Sequence, residues 1–397
     1  MSAKGDMERP THFGFSLVAG GLAYRLTRLL PSARGPQGWL SLAAIFVLVT
    51  WGPLLVLSAV QDHLLGNVTI PFLASVGTHA RFLVGLPLLF AAEGWIDPRL
   101  AAFVRQAVDS RLVLPAEYPA LETAVRSVAR LRDSWAAEAV FLALVVAAAS
   151  VRLEVGLPNS ISSWKEVTVG STTGLTLAGW WYTVVALPIF QFLLLRWGWR
   201  IAIWSAFLWR LSRLDLQLIP IHPDLAGGLG NLGFAQSSFA ILSMGLSAPL
   251  AGVFAEEMLF AGASLKDLET PVFGIALISL LLFVSPTLVF LPRLFAAKRR
   301  GLREYGIFAA EYARGFDAKW IRGETPRGPL LGTSDIQSLA DLANSFGIVR
   351  NMRLVPFRRG LITIVLGATL APMLPLLLLA FPVEQLLEKA LHLLFGL

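Results

Sequence analysis

The sequence predicts an all-α polytopic membrane protein with seven transmembrane helices, N-terminus inside, C-terminus outside and a small cytoplasmic helical layer. Three observations predict it. Of 397 residues, 55% are apolar and only 15% charged, with a mean hydropathy of +0.66; an ordinary soluble domain carries about 25% charged residues. The apolar residues come in runs of roughly 20, the length an α-helix needs to cross the hydrocarbon. Lys and Arg crowd into alternate loops. A purely soluble enzyme, a disordered chain, a coiled coil and a collagen are excluded. So is a transmembrane β-barrel, which would alternate apolar and polar residues over about ten-residue strands.

The elements follow in order. Residues 1–37 form a cytoplasmic amphipathic segment. Phe13 to Ala23 is apolar enough for a signal peptide, but Lys4 to Arg9 is mixed in charge and Arg25 and Arg28 interrupt the continuation. A surface helix fits better. The transmembrane domain, 38–381, holds spans at Gly38 to Val60, Ile70 to Trp95, Trp135 to Val151, Leu175 to Trp197, Phe234 to Ala255, Val272 to Pro292 and Leu361 to Phe381.

The charge count sets their orientation. Five basic residues precede the first span, six lie between the second and third, four follow the fourth and thirteen follow the sixth, 28 of the 33 in all. The opposite side has four: Arg152, Lys165, Lys266 and Lys389. Arg81 is inside a span. Positive charge marks the cytoplasmic side. Omitting the short third span, which contains Glu138, would destroy this asymmetry.

Outside the bilayer, 96–134 reads as helices broken near Pro115. Glu117 to Val151 lacks glycine and reads as a single helix of about 50 Å, half of it projecting into the cytoplasm. Beyond the fourth span, Arg196, Arg200, Arg210 and Arg213 alternate with Trp199, Trp204 and Trp209, a mixture suited to the headgroup region. The second cytoplasmic segment, 293–357, opens on Lys298, Arg299, Arg300 and Arg303, read as an anchor for anionic lipid. Without an aromatic-rich basic domain it does not point to nucleic acid. Thr333, Ser334 and Asp335 are N-cap residues, and Ile336, Leu339, Leu342, Ala343 and Phe346 follow at helical spacing. At the end, 382–397, Val383 to Phe395 reads as an amphipathic helix on the outer interface.

Arg81 is the sharpest candidate for function. It lies eleven residues into its span, about 16 Å along the axis, where a charge costs at least ~2.5–3.5 kcal/mol. Thr78 shares its face and His79 is adjacent. Either Arg81 attracts anions in a pore or cavity, or it clamps backbone carbonyls between spans. No span carries Asp or Glu at its centre, where proton-coupled carriers and cation pores place them. In the fifth span, Gln236, Ser243 and Ser247 share a face, as a water-filled path or as helix–helix contact. With no cysteine, and no two of the five histidines within one helical turn, neither a metal site nor a cofactor is expected.

Before the fifth span lies His222-Pro223-Asp224-Leu225-Ala226-Gly227-Gly228-Leu229-Gly230. Gly228, Gly230 and Gly233 match G-x-G-x-x-G, but a membrane helix precedes them in place of a strand. The residue types equally suit a turn. The segment resembles the HPD-x-A-G-G-L-G stretch of uncharacterised bacterial polytopic inner-membrane proteins. Ser334 to Leu342 and Met352 to Phe357 resemble the same group. The resemblance implies the fold and a bacterial inner membrane, with no established activity.

Together these features read as a channel or transporter, homo-oligomeric, preferring anions or small neutral solutes. The alternatives are a membrane-embedded enzyme using His222 and Asp224 on a lipid or isoprenoid at the cytoplasmic face, and a ligand sensor or scaffold. The orientation is testable in a chain without native cysteine. Asn67→Cys and Ser264→Cys are expected to react with a membrane-impermeant maleimide in whole cells, and Ser334→Cys only after lysis. Labelling of Ser334→Cys in intact cells would refute the orientation.

Overall fold

The computed structural model describes residues 14–31, 38–155, 163–169, 172–323 and 333–380. The outer helix expected at Val383 to Phe395 lies outside the described residues. Helices dominate. Helix α1 (Leu22–Thr27) is short, and α2 (Gly38–Val60) coincides with the first predicted span. The second predicted span opens in a 3₁₀ turn (Phe72–Ala74). It then runs through α3 (Val76–His79), a π-helical turn (Ala80–Gly85) and α4 (Leu86–Asp109). Next come α5 (Tyr118–Arg132) and α6 (Trp135–Val155). The fourth predicted span is α7 (Leu177–Trp181), a second π turn (Tyr182–Ala186) and α8 (Leu187–Leu211), continuing well past Trp197. The fifth is α9 (Asn231–Ser237) and α10 (Ala240–Phe260).

Each of the first two π turns is followed by Leu-Pro, Leu86-Pro87 and Leu187-Pro188. Proline has no N–H, and its ring crowds the carbonyl four residues back. A widened turn just before it relieves that conflict without breaking the helix.

The sixth predicted span begins earlier than Val272. Ser264 donates to Asp267 Oδ2 from its backbone N (2.9 Å) and its hydroxyl (2.6 Å), and α11 (Leu265–Phe283) starts there. It ends in a 3₁₀ segment (Ser285–Phe290) containing Pro286 and continues as α12 (Leu291–Phe316), with a 43° bend. After α13 (Ser334–Asn351), the last predicted span is α14 (Arg359–Leu370), a 3₁₀ turn and α15 (Leu376–Ala380).

Four described helical runs are long and apolar enough to cross a bilayer: Gly38–Val60, Pro115–Glu154, Leu177–Leu211 and Asn231–Phe260. The bent pair Leu265–Phe283 and Ser285–Ile321 makes a fifth. The second and seventh predicted spans are not among them. His79 and Arg81 interrupt the apolar run of the second, and the apolar helix of the seventh, Arg359–Met373, is short.

Other expectations also change. The long helix predicted over Glu117 to Val151 runs within the continuous stretch Pro115–Glu154 but has a two-residue interruption at Asp133-Ser134, where the Asp133 carboxylate accepts from Arg132 Nε (2.8 Å) and Gly21 N (3.2 Å). A short antiparallel hairpin, β1 (Glu166–Val169) with β2 (Thr172–Leu175), interrupts the helices, pairing Val167 with Gly174. Thr333 makes no side-chain cap of α13. Asp335 instead ties α13 to the π-helical turn that follows α12 (Asp317–Ile321), accepting from Lys319 Nζ (2.8 Å) and Trp320 Nε1 (3.0 Å).

The largest difference concerns the buried charges. Arg196 and Arg200 are not spread along an exposed headgroup face; they are buried, at 8% and 3% exposure, in an ion network. Arg200 Nη1 donates to Glu93 Oε1 at 2.7 Å, and Arg196 lies between Glu93 (3.7 Å) and Glu138 (3.4 Å). The network ties α4, α6 and α8 together where they leave the apolar core. It also receives the N-terminal segment. Phe15, Leu17 and Val18 are buried, with the Phe15 ring 4.9 Å from Phe207 and 5.7 Å from Trp204. Residues 14–20 form a strap in the core where a surface helix was predicted, and α1 after it is helical with Leu22 and Leu26 exposed.

Asp97 fixes the strap: Oδ2 accepts from Ser16 Oγ (2.7 Å) and Oδ1 from Leu17 N (2.6 Å) and Val18 N (3.2 Å). Arg132 Nη1 donates to Ser16 O (2.8 Å), and Glu138 Oε2 accepts from Ala23 N (3.0 Å).

On the other side of the bundle α10 crosses α3 and the first π turn at glycine. A Cβ on Gly252 would stand 2.7 Å from Gly77 Cα, and one on Gly85 2.9 Å from Pro249 Cγ. Only hydrogen fits where these backbones meet.

Removing Asp97 would leave buried donors unsatisfied, at about 1–3 kcal/mol. Asp97→Ala is therefore expected to lower unfolding free energy by about that much. It should also expose the strap to limited proteolysis near Phe15, which mass mapping of the fragments will read.

Candidate functional site

The two π turns meet through Arg81 and Tyr182. Arg81 lies in the first and Tyr182 opens the second. Arg81 Nη1 donates to the Tyr182 hydroxyl at 2.5 Å, and its guanidinium carbon is 5.9 Å from the centroid of the Phe190 ring. Two further cations approach the same phenol. Lys165 Nζ lies 4.7 Å from the Tyr182 ring centroid and 5.3 Å from that of Trp164. The Lys165 carbonyl accepts from Thr176 N (3.0 Å) and lies 2.0 Å from where a Cβ on Gly179 would be, so the hairpin presses on a glycine of α7. Arg152, on α6, donates to Gln191 Oε1 (2.9 Å) and lies within electrostatic reach of Arg81 and Tyr182.

Glu256 is also close, but its Oε1 accepts from Ser75 Oγ (2.9 Å) and Gly77 N (2.8 Å) and thereby caps α3. Among the described residues no carboxylate pairs with Arg81. Two neighbouring donors, Trp164 Nε1 and Thr183 Oγ1, are buried without a hydrogen-bond partner. The centre is thus rich in donors and positive charge, a combination suited to a small acceptor-bearing anion. Sequence reading isolated Arg81 but missed its companions. Their signal was present: Arg152 and Lys165 are two of the four basic residues that the predicted topology assigned to its sparsely charged side.

The other predicted pore residues lie elsewhere. Thr78 is buried and bonds Ser75 Oγ at 2.8 Å. His79 Nδ1 accepts from Trp51 Nε1 (2.9 Å), with the Phe72 ring edge-on at 5.1 Å. Gln236 spans two helices, accepting from Trp204 Nε1 (2.9 Å) and donating to Phe283 O (2.6 Å). That carbonyl is freed where α11 gives way to the 3₁₀ segment, since Thr287 N bonds Val284 O. Ser243 Oγ bonds Thr369 Oγ1 (2.7 Å), joining α10 to α14, and Ser247 Oγ donates to Met244 O (3.2 Å).

The His222 to Gly233 loop is organised around Asp224, whose carboxylate accepts from Ala226 N (2.7 Å), Gly230 N (2.7 Å) and Gly228 N (3.1 Å). His222 Nδ1 stands 2.8 Å from Asp224 Oδ1. Gly228, at φ +100°, is in the left-handed region that other residues avoid. Gly227 sits 3.2 Å, by its would-be Cβ, from Met352 Cε. Arg353 N donates to Leu225 O (2.7 Å) and its Nη2 to Asp224 O (2.5 Å). The HPD segment and the Met352 to Phe357 segment thus pack on one another. Lys298 Nζ donates to Met352 O (2.7 Å), and Arg300 Nη2 to Leu218 O (3.4 Å). Arg299, Arg300 and Arg303 line a recess of about 390 Å³ beside Phe295.

Among the described residues no cluster of His, Asp and Glu could hold a metal ion. What fold and site define is a helical membrane-embedded protein with an internal basic centre. No protein-family model, curated protein or solved structure matches the chain.

Burial pushes the Asp224 carboxyl upward, but the N–H groups of Ala226, Gly230 and Gly228, with His222, outweigh it and hold it below the usual range. A folded value below the unfolded one, about 3.9, contributes stability in full above that pH and loses it as pH falls through the folded value. Asp224→Ala is expected to cost about 1–3 kcal/mol near neutrality. Its thermal unfolding temperature should also fall less than that of the native chain between about pH 5 and pH 3. Parallel acid limbs would contradict this role for the carboxylate.

Proposed function

We propose that the chain is a membrane channel or transporter with a preference for anions or small neutral solutes. It acts in the bacterial inner membrane as a homo-oligomer, with seven spans, N-terminus inside and C-terminus outside. The observation that carries the reading is the meeting of two π turns at Arg81 and Tyr182, with Arg152 and Lys165 beside them. π turns inside helices recur at functional sites, and a charge at this depth is a functional feature by default. Two unit charges 4 Å apart interact by about 4 kcal/mol at an effective dielectric of 20, so the cations of the centre favour an anion over a cation beside them. Arg299, Arg300 and Arg303, around their common recess, hold anionic lipid at the cytoplasmic surface.

Purified protein in liposomes tests the reading through reversal potentials under a salt gradient. The native chain is expected to be anion-preferring, and Arg81→Glu to shift toward cations. Arg81→Lys should keep the sign and change the conductance, since ammonium lacks the guanidinium fork. Arg81→Ala should lower the anion-over-cation ratio at least about tenfold, corresponding to 1.4 kcal/mol. Tyr182→Phe, which keeps the ring and removes the acceptor of the Arg81 bond, supplies a second variant should Arg81→Ala fail to fold. Unchanged selectivity in the variants that fold, or no flux in the native protein, would overturn the proposal.

A further inference from the structure

Helix α6 stands apart from the bundle. Its exposed Val140, Leu144 and Val151 face away from the core, and its equally exposed Leu142 and Val146 line the inner side. Between this helix and α2, α4 and α8 runs a groove of about 780 Å³, within the usual range for a ligand site. Its lining on α6 extends from Trp135 to Leu153, about 27 Å at 1.5 Å per residue. That is close to the ~30 Å thickness of a bilayer's hydrocarbon. The walls are almost wholly apolar, Phe46, Phe90, Leu142, Val146, Ile189 and Phe192 among them.

The charged lining belongs to one end only: Glu93, Glu138 and Arg196, beneath the short helix α1. Arg196 is loosely held there. Its approaches to Glu138 and Glu93 are 3.4 and 3.7 Å, and Nη2 reaches only Gly20 O at 3.5 Å; a guanidinium–carboxylate bond normally closes to about 2.7–2.9 Å. Behind it Arg200, 3% exposed, has a buried Nη2 without a hydrogen-bond partner. A second small cavity, of about 10 Å³, is lined by Arg200, Arg196, Arg132 and Glu138.

We infer that the groove is a binding site for a zwitterionic aminophospholipid, a lipid whose head carries both a phosphate and a primary ammonium. One acyl chain lies along α6 and the head sits against Glu93, Glu138 and Arg196. Both signs of charge are needed. A lone anion would face two carboxylates, and a lone cation would leave the loosely held Arg196 guanidinium without a partner. A head with both lets the phosphate complete Arg196 while the ammonium donates to Glu138. Trp135, at the mouth, is 74% exposed and suits the headgroup level. This site is separate from the Arg81 centre and does not depend on how that centre functions.

Native mass spectrometry of the purified full chain, equilibrated with vesicles, reads the binding. The vesicles contain phosphatidylethanolamine, phosphatidylcholine or phosphatidylglycerol of matched chains. One ethanolamine lipid per chain is expected to be retained, at least about tenfold more tightly than the others. Phosphatidylcholine keeps the charges but cannot donate from its ammonium, and phosphatidylglycerol has none. Leu142→Trp fills the groove at a position outside the core and is expected to abolish retention; Glu138→Gln should erase the preference between head groups. Equal retention of all three lipids, or retention undiminished in Leu142→Trp, would overturn the inference and leave only bulk solvation of an apolar surface.

Discussion

The arrangement of this protein depends on one constraint: four charges buried at one end of the bundle must satisfy one another. An isolated ion in that setting costs several kcal/mol even after relaxation. Glu93, Arg196, Arg200 and Glu138 come from three different helices, and each is tolerable only when the others are in place. Meeting that requirement fixes α4, α6 and α8 relative to one another. The same polar floor makes the strap possible. Asp97, Arg132 and Glu138 supply the partners that the strap's Ser16, Leu17, Val18 and Ala23 backbone groups need once they leave water.

Apolar runs carried the helices well and the charges poorly. Gly38 to Val60 was legible to the residue because nothing but length and hydropathy decides it. The fourth span was equally legible, though its helix runs on past Trp197 to Leu211. Arg196 and Arg200 were misassigned because Arg beside Trp has the same composition at a headgroup as in a buried clasp. What separates the two is a pair of glutamates more than 50 residues away in sequence, Glu93 and Glu138, and periodicity carries no information about which ends face each other. The strap was hidden for a similar reason. An apolar stretch followed by arginines reads as an interfacial helix unless one knows that Asp97 waits to cap it.

The basic centre was half legible. Arg81 stood out as an intramembrane charge. Its neighbours are set by backbone features with only faint sequence marks, namely a proline after each π turn and a hairpin pressed against Gly179. Gln236, Ser243 and Ser247 share a helical face, as their spacing says. What they do on it, clasping a bent helix and bridging to Thr369, depends on breaks in neighbouring helices. The loop around Asp224 was legible as a turn because glycines and an aspartate at that spacing have few other uses.

The strap also bears on how the chain is made. Its residues are synthesised before nearly everything that holds them. Ser16 waits 81 residues for Asp97, and Gly20 waits 176 for Arg196. During synthesis, which proceeds at about 5–20 residues per second, Phe15, Leu17 and Val18 must therefore stay outside the bundle for many seconds, exposing apolar surface at the ribosome. They can enter only after the fourth span has been inserted. The first described segment of the polypeptide thus finds its place only when about half of the chain has been made. Its docking joins α4, α5, α6 and α8, which supply its partners.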